Sequence, residues 1–253
     1  MKNFKINKNS VHLLLVFLFL FLIFYKIIYY YNSSQKFGIV IGDSIAEGYP
    51  YSFIEFSVLN QKYILPDLFS EDQIAFHLEK HLGYKVINLG VSGQTSDEVR
   101  KRWHSYVLSF KNKNLNKNLY FVIIIVGIND INRNIPAKQI ISNLDWMINS
   151  CTSNNIYPIV FNLAPFDKIN RKQTLALKEV NKWLFYKKSI TTKLYLVDFY
   201  NYVNDSDNNC KPKEGILVDG LHPNKETYKN LAEKIYQKIL VIDKSKSIDN
   251  KLP

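Results

Sequence analysis

Residues 121–126 read FVIIIV, a run without a polar side chain in which most residues are β-branched. A strand with one face in water alternates between apolar and polar residues, whereas a strand covered on both faces does not. The run therefore predicts a central strand that is buried on both sides. Gly127, Ile128, Asn129 and Asp130 follow it directly, so polar groups are expected where this strand ends.

Four other short apolar runs alternate with helical patterns along the chain. Alternation of this kind is typical of βα units arranged around a parallel sheet. The sequence thus predicts an α/β fold with five parallel strands. The predicted strands are Phe37–Ile41, Lys85–Leu89, Tyr120–Val126, Tyr157–Leu163 and Leu194–Val197.

The segments between the strands carry apolar residues at helical spacing, which we interpret as core positions. Thr95 and Glu98 can form a capping box, so a helix is expected to begin there. A last helix is predicted from near Asn224, burying residues up to Ile239. Residues 243–253 are predicted to be a solvated tail.

Length and charge limit the classes of function. A chain of 253 residues with 47% hydrophobic content can bury one sizeable core, and we expect one domain over residues 37–242. The net charge is +11, but the basic residues are distributed over many loops. Nucleic-acid binding requires a basic face or stripe, so no nucleic-acid partner is expected. The oligomeric state is left open.

The N-terminal region contains a long apolar segment at residues 11–31, interrupted only by Lys26 among charged residues. Roughly 20 apolar residues in a helix span a membrane, so this segment is predicted to be a transmembrane signal-anchor. Lys2, Lys5 and Lys8 precede it. The positive-inside tendency therefore places residues 1–10 in the cytoplasm, and residues 32–36 link the anchor to an extracytoplasmic domain.

Two other interpretations of the apolar segment are a cleaved signal peptide and a buried core helix. A cleaved signal peptide would release a secreted domain, but bulky residues follow the apolar segment and no A-x-A-like cleavage site is found. A buried core helix is disfavoured because the segment is apolar on all sides and lies at the terminus. An uncleaved, single-pass anchor is therefore preferred.

Ser44 follows the first predicted strand directly, in the sequence Gly42-Asp43-Ser44. Open α/β sheets bind ligands at the carboxyl ends of their strands, so Ser44 is a candidate nucleophile. Gly93 and Asn129 follow the second and third strands in the same way, and either could donate a hydrogen bond to a developing oxyanion. Taken alone, each of these segments is also consistent with an ordinary turn.

Asp219 and His222 lie together before the last helix, in the sequence Asp219-Gly-Leu-His-Pro223. A carboxylate three residues ahead of an imidazole can reach its Nδ1 atom across a tight turn. Serine, aspartate and histidine in this order, with oxyanion donors, are the groups that serine-based acyl transfer requires. Their joint presence favours an ester hydrolase, although a surface loop would explain the last segment alone.

Other candidate sites are weaker. His77 and His81 stand four residues apart, but no third ligand is evident, so no metal site is expected. Cys151 and Cys210 show no metal-ligand spacing, and the sequence does not decide whether they form a disulfide.

The four segments that contain Ser44, Gly93, Asn129 and the Asp219–His222 pair resemble the conserved blocks of the SGNH/GDSL hydrolases, over residues 36–241. The resemblance implies a three-layer, flavodoxin-like sheet, with Ser44 as nucleophile, Asp219 and His222 as its partners, and Gly93 and Asn129 with the Ser44 N–H as the oxyanion hole. Ile45 stands where the family name has leucine, and Ile128 where a glycine is frequent. Neither position carries the chemistry.

We therefore expect an esterase that needs no cofactor and acts on a small-molecule, lipid or glycan ester, including lysophospholipid-like or O-acetyl substrates. A catalytically silent glycan- or lipid-binding module on the same fold is the alternative. Phe53 and Phe56 lie in the aromatic segment that follows Ser44, and they are predicted to line an acyl pocket. Packing as an ordinary covering loop would explain these aromatics equally well.

Overall fold

A computed structural model of the chain describes residues 17–24, 35–52, 71–109, 111, 117–205 and 210–249. These residues contain a five-stranded sheet in which every pair of neighbouring strands is parallel, in the order β2-β1-β3-β4-β5. The strands are β1 (Gln35–Gly42), β2 (Val86–Gly90), β3 (Lys117–Ile125), β4 (Tyr157–Phe161) and β5 (Tyr195–Val197). The predicted parallel α/β fold is confirmed.

Helices connect the strands and cover the sheet. Residues 17–24 form α1. The others are α2 (Ser44–Glu47), α3 (Ile74–Leu82), α4 (Ser96–Trp103), α5 (Ile128–Asn132), α6 (Ala137–Ser153), α7 (Arg171–Ile190), α8 (Phe199–Val203) and α9 (Lys225–Asp249). A π-helical turn, His104–Leu108, continues α4.

The helices form two layers, one on each face of the sheet. The connection from β1 to β2 runs toward one edge of the sheet. The connections from β2 to β3, from β3 to β4 and from β4 to β5 all run toward the other edge. Because such crossovers are right-handed, α3 lies on the face opposite to α4, α6 and α7. Helix α9 packs against α3, while α4, α6 and α7 pack against one another in sequence. The result is a three-layer arrangement.

Strand β3 lies at the centre of the core, as its composition predicts. Leu119 through Val126 are each at most 3% exposed. The helical stripes are buried as well, and Trp103 at the end of α4 is fully buried with its indole N–H donating to Ser150 Oγ at 3.0 Å. The capping box of Thr95 and Glu98 forms at the start of α4.

The strand bounds differ from the predicted ones by one to three residues, and the fold extends beyond the predicted domain, residues 37–242, at both ends. Strand β1 begins at Gln35, so the last residues of the predicted linker at 32–36 belong to the sheet. Helix α9 continues to Asp249, so residues 243–249 are helical rather than a solvated tail. The reason is Asp243, whose carboxylate accepts hydrogen bonds from Lys36 Nζ at 2.6 Å and from the Tyr120 hydroxyl at 2.8 Å.

The N-terminal region is described only at α1. All eight residues of α1 are apolar and exposed, from Ile23 at 40% to Phe17 at 70%. The remainder of the predicted span, 11–31, lies outside the described residues. Among the described helices, none combines the length and the apolar character that a membrane crossing requires.

Glycine residues let three backbone segments meet at the carboxyl ends of β1, β2 and β3. A Cβ atom on Gly42 would lie 1.7 Å from the Ile125 carbonyl oxygen, and one on Gly90 would lie 2.0 Å from the Glu47 nitrogen. Both contacts are with backbone atoms that cannot move aside cheaply. The first turn after β1, which carries Ser44, is thereby pressed directly against the end of β2.

We predict that Gly90→Ala destabilises the protein by about 3 kcal/mol or prevents folding, because the added methyl group must displace the backbone of α2. Gly83→Ala is the control: its φ of +70° is unfavourable for alanine, but no heavy atom lies within 4 Å of the new Cβ. The control should lose only about 1 kcal/mol, the cost of placing alanine in the left-handed region. Urea unfolding of both variants measures the difference, and equal losses would contradict the close packing.

Candidate active site

The segments that follow β1, β2 and β3 meet at one edge of the sheet. Gly42 is in register with Gly90 on one side and with Ile125 on the other. Because parallel strands end at the same edge, Ser44, Gly93 and Asn129 all emerge there. This is the edge at which open α/β sheets bind ligands.

Ser44, His222 and Asp219 form a continuous chain of hydrogen bonds. Ser44 Oγ lies 2.8 Å from His222 Nε2, and His222 Nδ1 lies 2.7 Å from Asp219 Oδ2. Ser44 is 4% exposed and His222 is 9% exposed, whereas the Asp219 side chain is 45% exposed. The structure therefore brings together the three residues that the sequence singled out as a triad.

The charge of Asp219 determines the direction of these hydrogen bonds. Partial burial alone would raise its pKa, but hydrogen bonds from the side chain and backbone of His222 hold the pKa of Asp219 below its ordinary value. An ionised carboxylate only accepts hydrogen bonds, so His222 Nδ1 carries the proton. His222 Nε2 is then left as an acceptor for the Ser44 hydroxyl proton.

Local sequence explains how Ser44 is presented. Asp43 caps the four-residue helix α2, its Oδ1 accepting from the Ile45 N–H at 3.0 Å. Gly48 ends the helix in the left-handed region, at φ +97°, with its N–H donating to the Ser44 carbonyl. Ser44 is thus the first residue of a short helix that follows a strand directly.

The loop that carries His222 is shaped by its own aspartate. Asp219 Oδ1 accepts from the N–H groups of Leu221 at 3.1 Å and His222 at 2.8 Å. Gly220 takes a φ of +79°, and its carbonyl accepts from the Asp167 N–H at 2.8 Å. This turn holds the carboxylate and the imidazole in contact across three residues.

The predicted oxyanion donors lie beside one another. Gly93 is exposed and left-handed, at φ +79°, and its carbonyl accepts from Arg133 Nη2 at 2.8 Å. Asn129 Nδ2 donates to the neighbouring Gln94 carbonyl at 3.0 Å. An amide nitrogen carries two donor hydrogens, and this bond uses one of them. The hydrogen bond to Gln94 therefore holds the Asn129 side chain against the loop that follows β2.

The sequence profile of the GDSL-like Lipase/Acylhydrolase family matches residues 40–229, about three quarters of the chain, and includes all of these residues. The chain belongs to this family. It is accordingly an enzyme that hydrolyses ester bonds, and the resemblance stated from the sequence is confirmed. A comparison with curated proteins found no match.

Solved structures share the fold. One protein assigned to the lipolytic G-D-S-L family, from Desulfitobacterium hafniense DCB-2, is 25% identical with a TM-score of 0.62, over 80% of this chain and 98% of that chain. The lipase/acylhydrolase from Enterococcus faecalis is 23% identical with a TM-score of 0.59, over 81% and 95%. A GDSL-like lipase from Bacteroides thetaiotaomicron VPI-5482 is 21% identical with a TM-score of 0.59, over 81% and 89%.

Glu47 and Arg102 hold the loops of this GDSL hydrolase in place, and no sequence motif pointed to either residue. Buried Glu47 accepts from the N–H of Ser92 at 2.7 Å and from its hydroxyl. Arg102 Nη2 donates to the carbonyls of Gly42 at 3.0 Å and Leu89 at 2.8 Å. Burial lowers the pKa of Arg102 to about 10, so the guanidinium remains charged at neutral pH.

Asp130 joins the end of β3 to the start of α4. Its two oxygens accept from the N–H of Ser96 at 2.8 Å and from its hydroxyl at 2.6 Å. Asn143 then donates to the same hydroxyl at 2.9 Å. Burial raises the pKa of Asp130 despite the bonds from Ser96. This network supports the short helix α5, on which Asn129 lies.

Tyr49 packs against His222 at the edge of the sheet that carries Ser44, a contact that the sequence did not indicate. Its ring centroid lies 4.6 Å from that of His222, at an interplanar angle of 59°. The carbonyl of Tyr49 accepts from the Tyr228 hydroxyl at 2.8 Å. Burial raises the pKa of Tyr228 well above its ordinary value, so this hydroxyl stays protonated and keeps donating. Tyr49 thus restricts the imidazole from one side.

The other candidates from the sequence are a histidine pair, two cysteines and two phenylalanines. His81 pairs with Glu233 at 3.6 Å and stacks on Tyr236, and within the described residues no group of three or more His, Cys, Asp or Glu side chains is placed to hold a metal ion. Cys151 and Cys210 are both buried and are not joined in a disulfide. Phe53 and Phe56, predicted to line an acyl pocket, lie outside the described residues.

A small apolar pocket lies beside the residues that flank Ser44. Asp43 and Ile45, the residues on either side of the serine, line it together with Leu221, which precedes His222. Leu163 and Phe199 complete its apolar wall. This pocket could not be predicted from the sequence because its walls come from five separate strand ends and loops.

Asp43 is a buried carboxyl group next to the nucleophile. It is 1% exposed, and its Oδ2 atom has no hydrogen-bond partner among the described residues. Burial raises the pKa of Asp43 to about 7, with a smaller contribution from the charge of Asp130. In the unfolded chain an aspartate titrates near 4. The folded protein therefore binds an extra proton between about pH 4 and pH 7.

This difference predicts how stability depends on pH. As pH rises through the window from about 4 to about 7, Asp43 destabilises the folded state, since the unfolded chain loses its proton first. Asp43→Asn removes the effect. The free energy of unfolding of the variant should increase relative to wild type by up to about 1.4 kcal/mol per pH unit across that window.

Urea unfolding at pH 5, 6, 7 and 8 measures this difference. Asp97→Asn is the control, because Asp97 forms an exposed ion pair with Lys101 and such pairs contribute little to stability. Parallel pH profiles for wild type and Asp43→Asn would show that Asp43 titrates as an ordinary exposed carboxylate.

Proposed function

We propose that the enzyme cleaves carboxylic esters through a covalent intermediate on Ser44, with His222 as general base and Asp219 as its partner. The observation that carries this proposal is the continuous chain of contacts from Ser44 Oγ to His222 Nε2 at 2.8 Å and from His222 Nδ1 to Asp219 at 2.7 Å. Serine is a weak nucleophile unless a base in hydrogen-bond contact removes its proton.

In the first half of the reaction, Ser44 Oγ attacks the carbonyl carbon of the ester while His222 Nε2 takes the hydroxyl proton. The electron pair of the C=O bond moves onto the oxygen. When this intermediate collapses, the C–O bond to the alcohol breaks and His222 returns the proton to the departing oxygen. The acyl group is then attached to Ser44.

In the second half, water replaces the alcohol. His222 takes a proton from the water as its oxygen attacks the acyl carbon, and the proton returns to Ser44 Oγ when the acid leaves. Asp219 remains ionised throughout and stabilises the imidazolium that forms twice in each cycle. Its lowered pKa is consistent with this role.

The negative oxygen requires hydrogen-bond donors that are already in place. We assign this role to the N–H groups of Ser44 and Gly93 and to the second amide hydrogen of Asn129. Arg133 holds the Gly93 carbonyl, and the Gln94 carbonyl holds the Asn129 amide, so the segment that carries these donors needs little rearrangement. Fixed dipoles of this kind stabilise the transition state more than mobile water does.

We assign the acyl group to the apolar pocket beside Ser44, which Ile45 and Leu221 line. Burial there would contribute about 0.8 kcal/mol for each methylene group removed from water. Phe53 and Phe56 remain predicted contributors to the same region. A kcat/KM that falls as methylenes are added from p-nitrophenyl acetate to butyrate would exclude this pocket as the acyl site.

We further propose that residues 11–31 anchor the enzyme in a membrane as a single pass, with the catalytic domain on the extracytoplasmic side. The apolar sequence, the lysines ahead of it and the exposure of every described side chain in α1 support this proposal. Recovery of the full chain in the supernatant after alkaline carbonate washing of membranes would contradict it.

We predict that Ser44→Ala lowers the kcat for p-nitrophenyl acetate hydrolysis at least about a thousandfold, because the nucleophile is lost while the fold is kept. Asn129→Ala should lower kcat about a hundredfold if its amide stabilises the oxyanion. Steady-state kinetics on the purified full chain measures both effects.

Ser142→Ala serves as the control, since Ser142 is an exposed serine on α6 that does not line the site. It should retain wild-type rates. A Ser44→Ala variant that hydrolyses the ester within tenfold of the wild type would refute Ser44 as nucleophile, and a loss under about threefold in Asn129→Ala would remove that residue from the oxyanion hole.

A further inference from the structure

Helix α7 exposes apolar side chains at its last turns. Phe185 is 49% exposed, while Tyr186 and Ile190 are each 60% exposed. Helix α7 follows β4 and leads back to the start of β5, so these turns lie at the edge where the strands begin. We call this the amino edge of the sheet. It is opposite to the edge that carries Ser44, so the apolar group does not belong to the active site.

The amino edge also concentrates positive charge. Lys36 lies in β1, Lys85 directly precedes β2, and Lys193 stands two residues before β5. Lys36 and Lys85 pair with Asp243 and Glu79, respectively, which neutralises that part of the edge. The amino edge is thus less basic at the starts of β1 and β2 than at the start of β5.

Lys187, on the last turns of α7, pairs with Asp145 at 2.7 Å, but within the described residues neither Lys188 nor Lys193 pairs with a carboxylate. Lys193 Nζ donates to the neutral side chain of Asn155 at 3.1 Å, and Lys188 lies over the ring of Tyr195 at 5.2 Å. Burial lowers the pKa of Lys188, and the positive charge of Lys238 lowers it further. Like charges gathered around exposed Phe185, Tyr186 and Ile190 form a surface that is apolar and cationic at once.

The position of the predicted membrane span indicates which partner this surface would bind. The predicted membrane span ends at residue 31, and β1 begins at Gln35. Four residues extend at most about 14 Å, so the start of β1 must lie close to the membrane. Strand β5 is three strands away from β1, or about 14 Å at ordinary strand spacing. The whole amino edge would then lie near the headgroups.

We propose that this amino edge docks on the extracytoplasmic surface of the membrane, with Phe185, Tyr186 and Ile190 entering the interface and Lys188 and Lys193 facing anionic lipid headgroups. The proposal rests on the membrane anchor of the proposed function. Combined apolar and basic residues on one helix are the features that bind a helix to an anionic membrane surface. The charge of lysine is complementary to such headgroups.

Docking in this way determines the substrate class. Strand β1 contains eight residues, which places Ser44 roughly 25 Å from the headgroups on the far side of the sheet. Lipids of the same bilayer cannot reach the nucleophile over that distance without leaving the membrane. The substrates are therefore esters on the aqueous side, either soluble molecules or acylated surface polymers, rather than the phospholipids beneath the enzyme.

Two positions on α7 allow a matched test. Ile190 and Leu175 are exposed to similar extents, 60% and 62%, at opposite ends of the helix. Fifteen residues separate them, or about 22 Å along a helix. The full-length Ile190→Cys and Leu175→Cys variants are labelled with a fluorophore and inserted in nanodiscs that contain nitroxide-bearing lipid. The native cysteines are buried, and the unsubstituted chain gives the background labelling.

In discs of phosphatidylcholine with phosphatidylglycerol, we expect strong quenching of the label at residue 190 and background quenching at residue 175. Replacing phosphatidylglycerol by phosphatidylcholine, or introducing Lys188→Glu with Lys193→Glu, should reduce the quenching at residue 190. Arg171→Glu with Lys172→Glu, at the other end of α7, should not. Equal quenching at both positions would overturn the docking orientation.

Separate readouts distinguish this proposal from those on which it rests. Retention of the chain in the discs reports the anchor, and hydrolysis of soluble p-nitrophenyl acetate by the same discs reports the catalytic site. Docking predicts that the soluble ester is hydrolysed while the fatty esters of the disc lipids are not. Fatty acid release at a rate comparable with that of the soluble ester would refute docking. Equal quenching at both positions, in discs that retain an active enzyme, would also refute docking but not the anchor or the catalytic site.

Discussion

The hydrogen bond of 2.8 Å between Ser44 Oγ and His222 Nε2 joins residues that are 178 positions apart, and the rest of the site depends on it. Neither partner is free to move toward the other. Ser44 is fixed by a four-residue helix that is pressed against Gly90, and His222 is fixed by the turn around Asp219. The fold therefore establishes the contact before any substrate arrives, which is the condition for efficient proton transfer.

Ionisable groups are distributed unevenly around this contact. Asp219, half exposed and bonded to His222, is held in its charged form, while burial raises the pKa of Asp43 beside the nucleophile to about 7 and so opposes its ionisation. A second negative charge at Asp43 would oppose the developing oxyanion. The folded state thus favours one charged carboxylate at the site, although this preference lowers stability as pH rises.

Several features could be predicted from the sequence because each depends on residues close together in the chain. The apolar run of β3, the capping box at Thr95 and the Asp219 to His222 turn are of this kind. Glu47, Arg102 and the pocket beside Ser44 could not be predicted, since their roles arise from contacts with other strands and loops. The length of α9 was missed for the same reason: Asp243 is held by Lys36 and Tyr120.

The most direct test of the central claim is to locate the covalent bond to the enzyme. The full chain is treated with a fluorophosphonate, digested, and analysed by mass spectrometry. A single phosphonyl group on the Ser44 oxygen, formed at least about a hundredfold more slowly in His222→Ala, is the predicted result, since the base activates the nucleophile. Modification at another serine, or an unchanged rate in His222→Ala, would contradict the account.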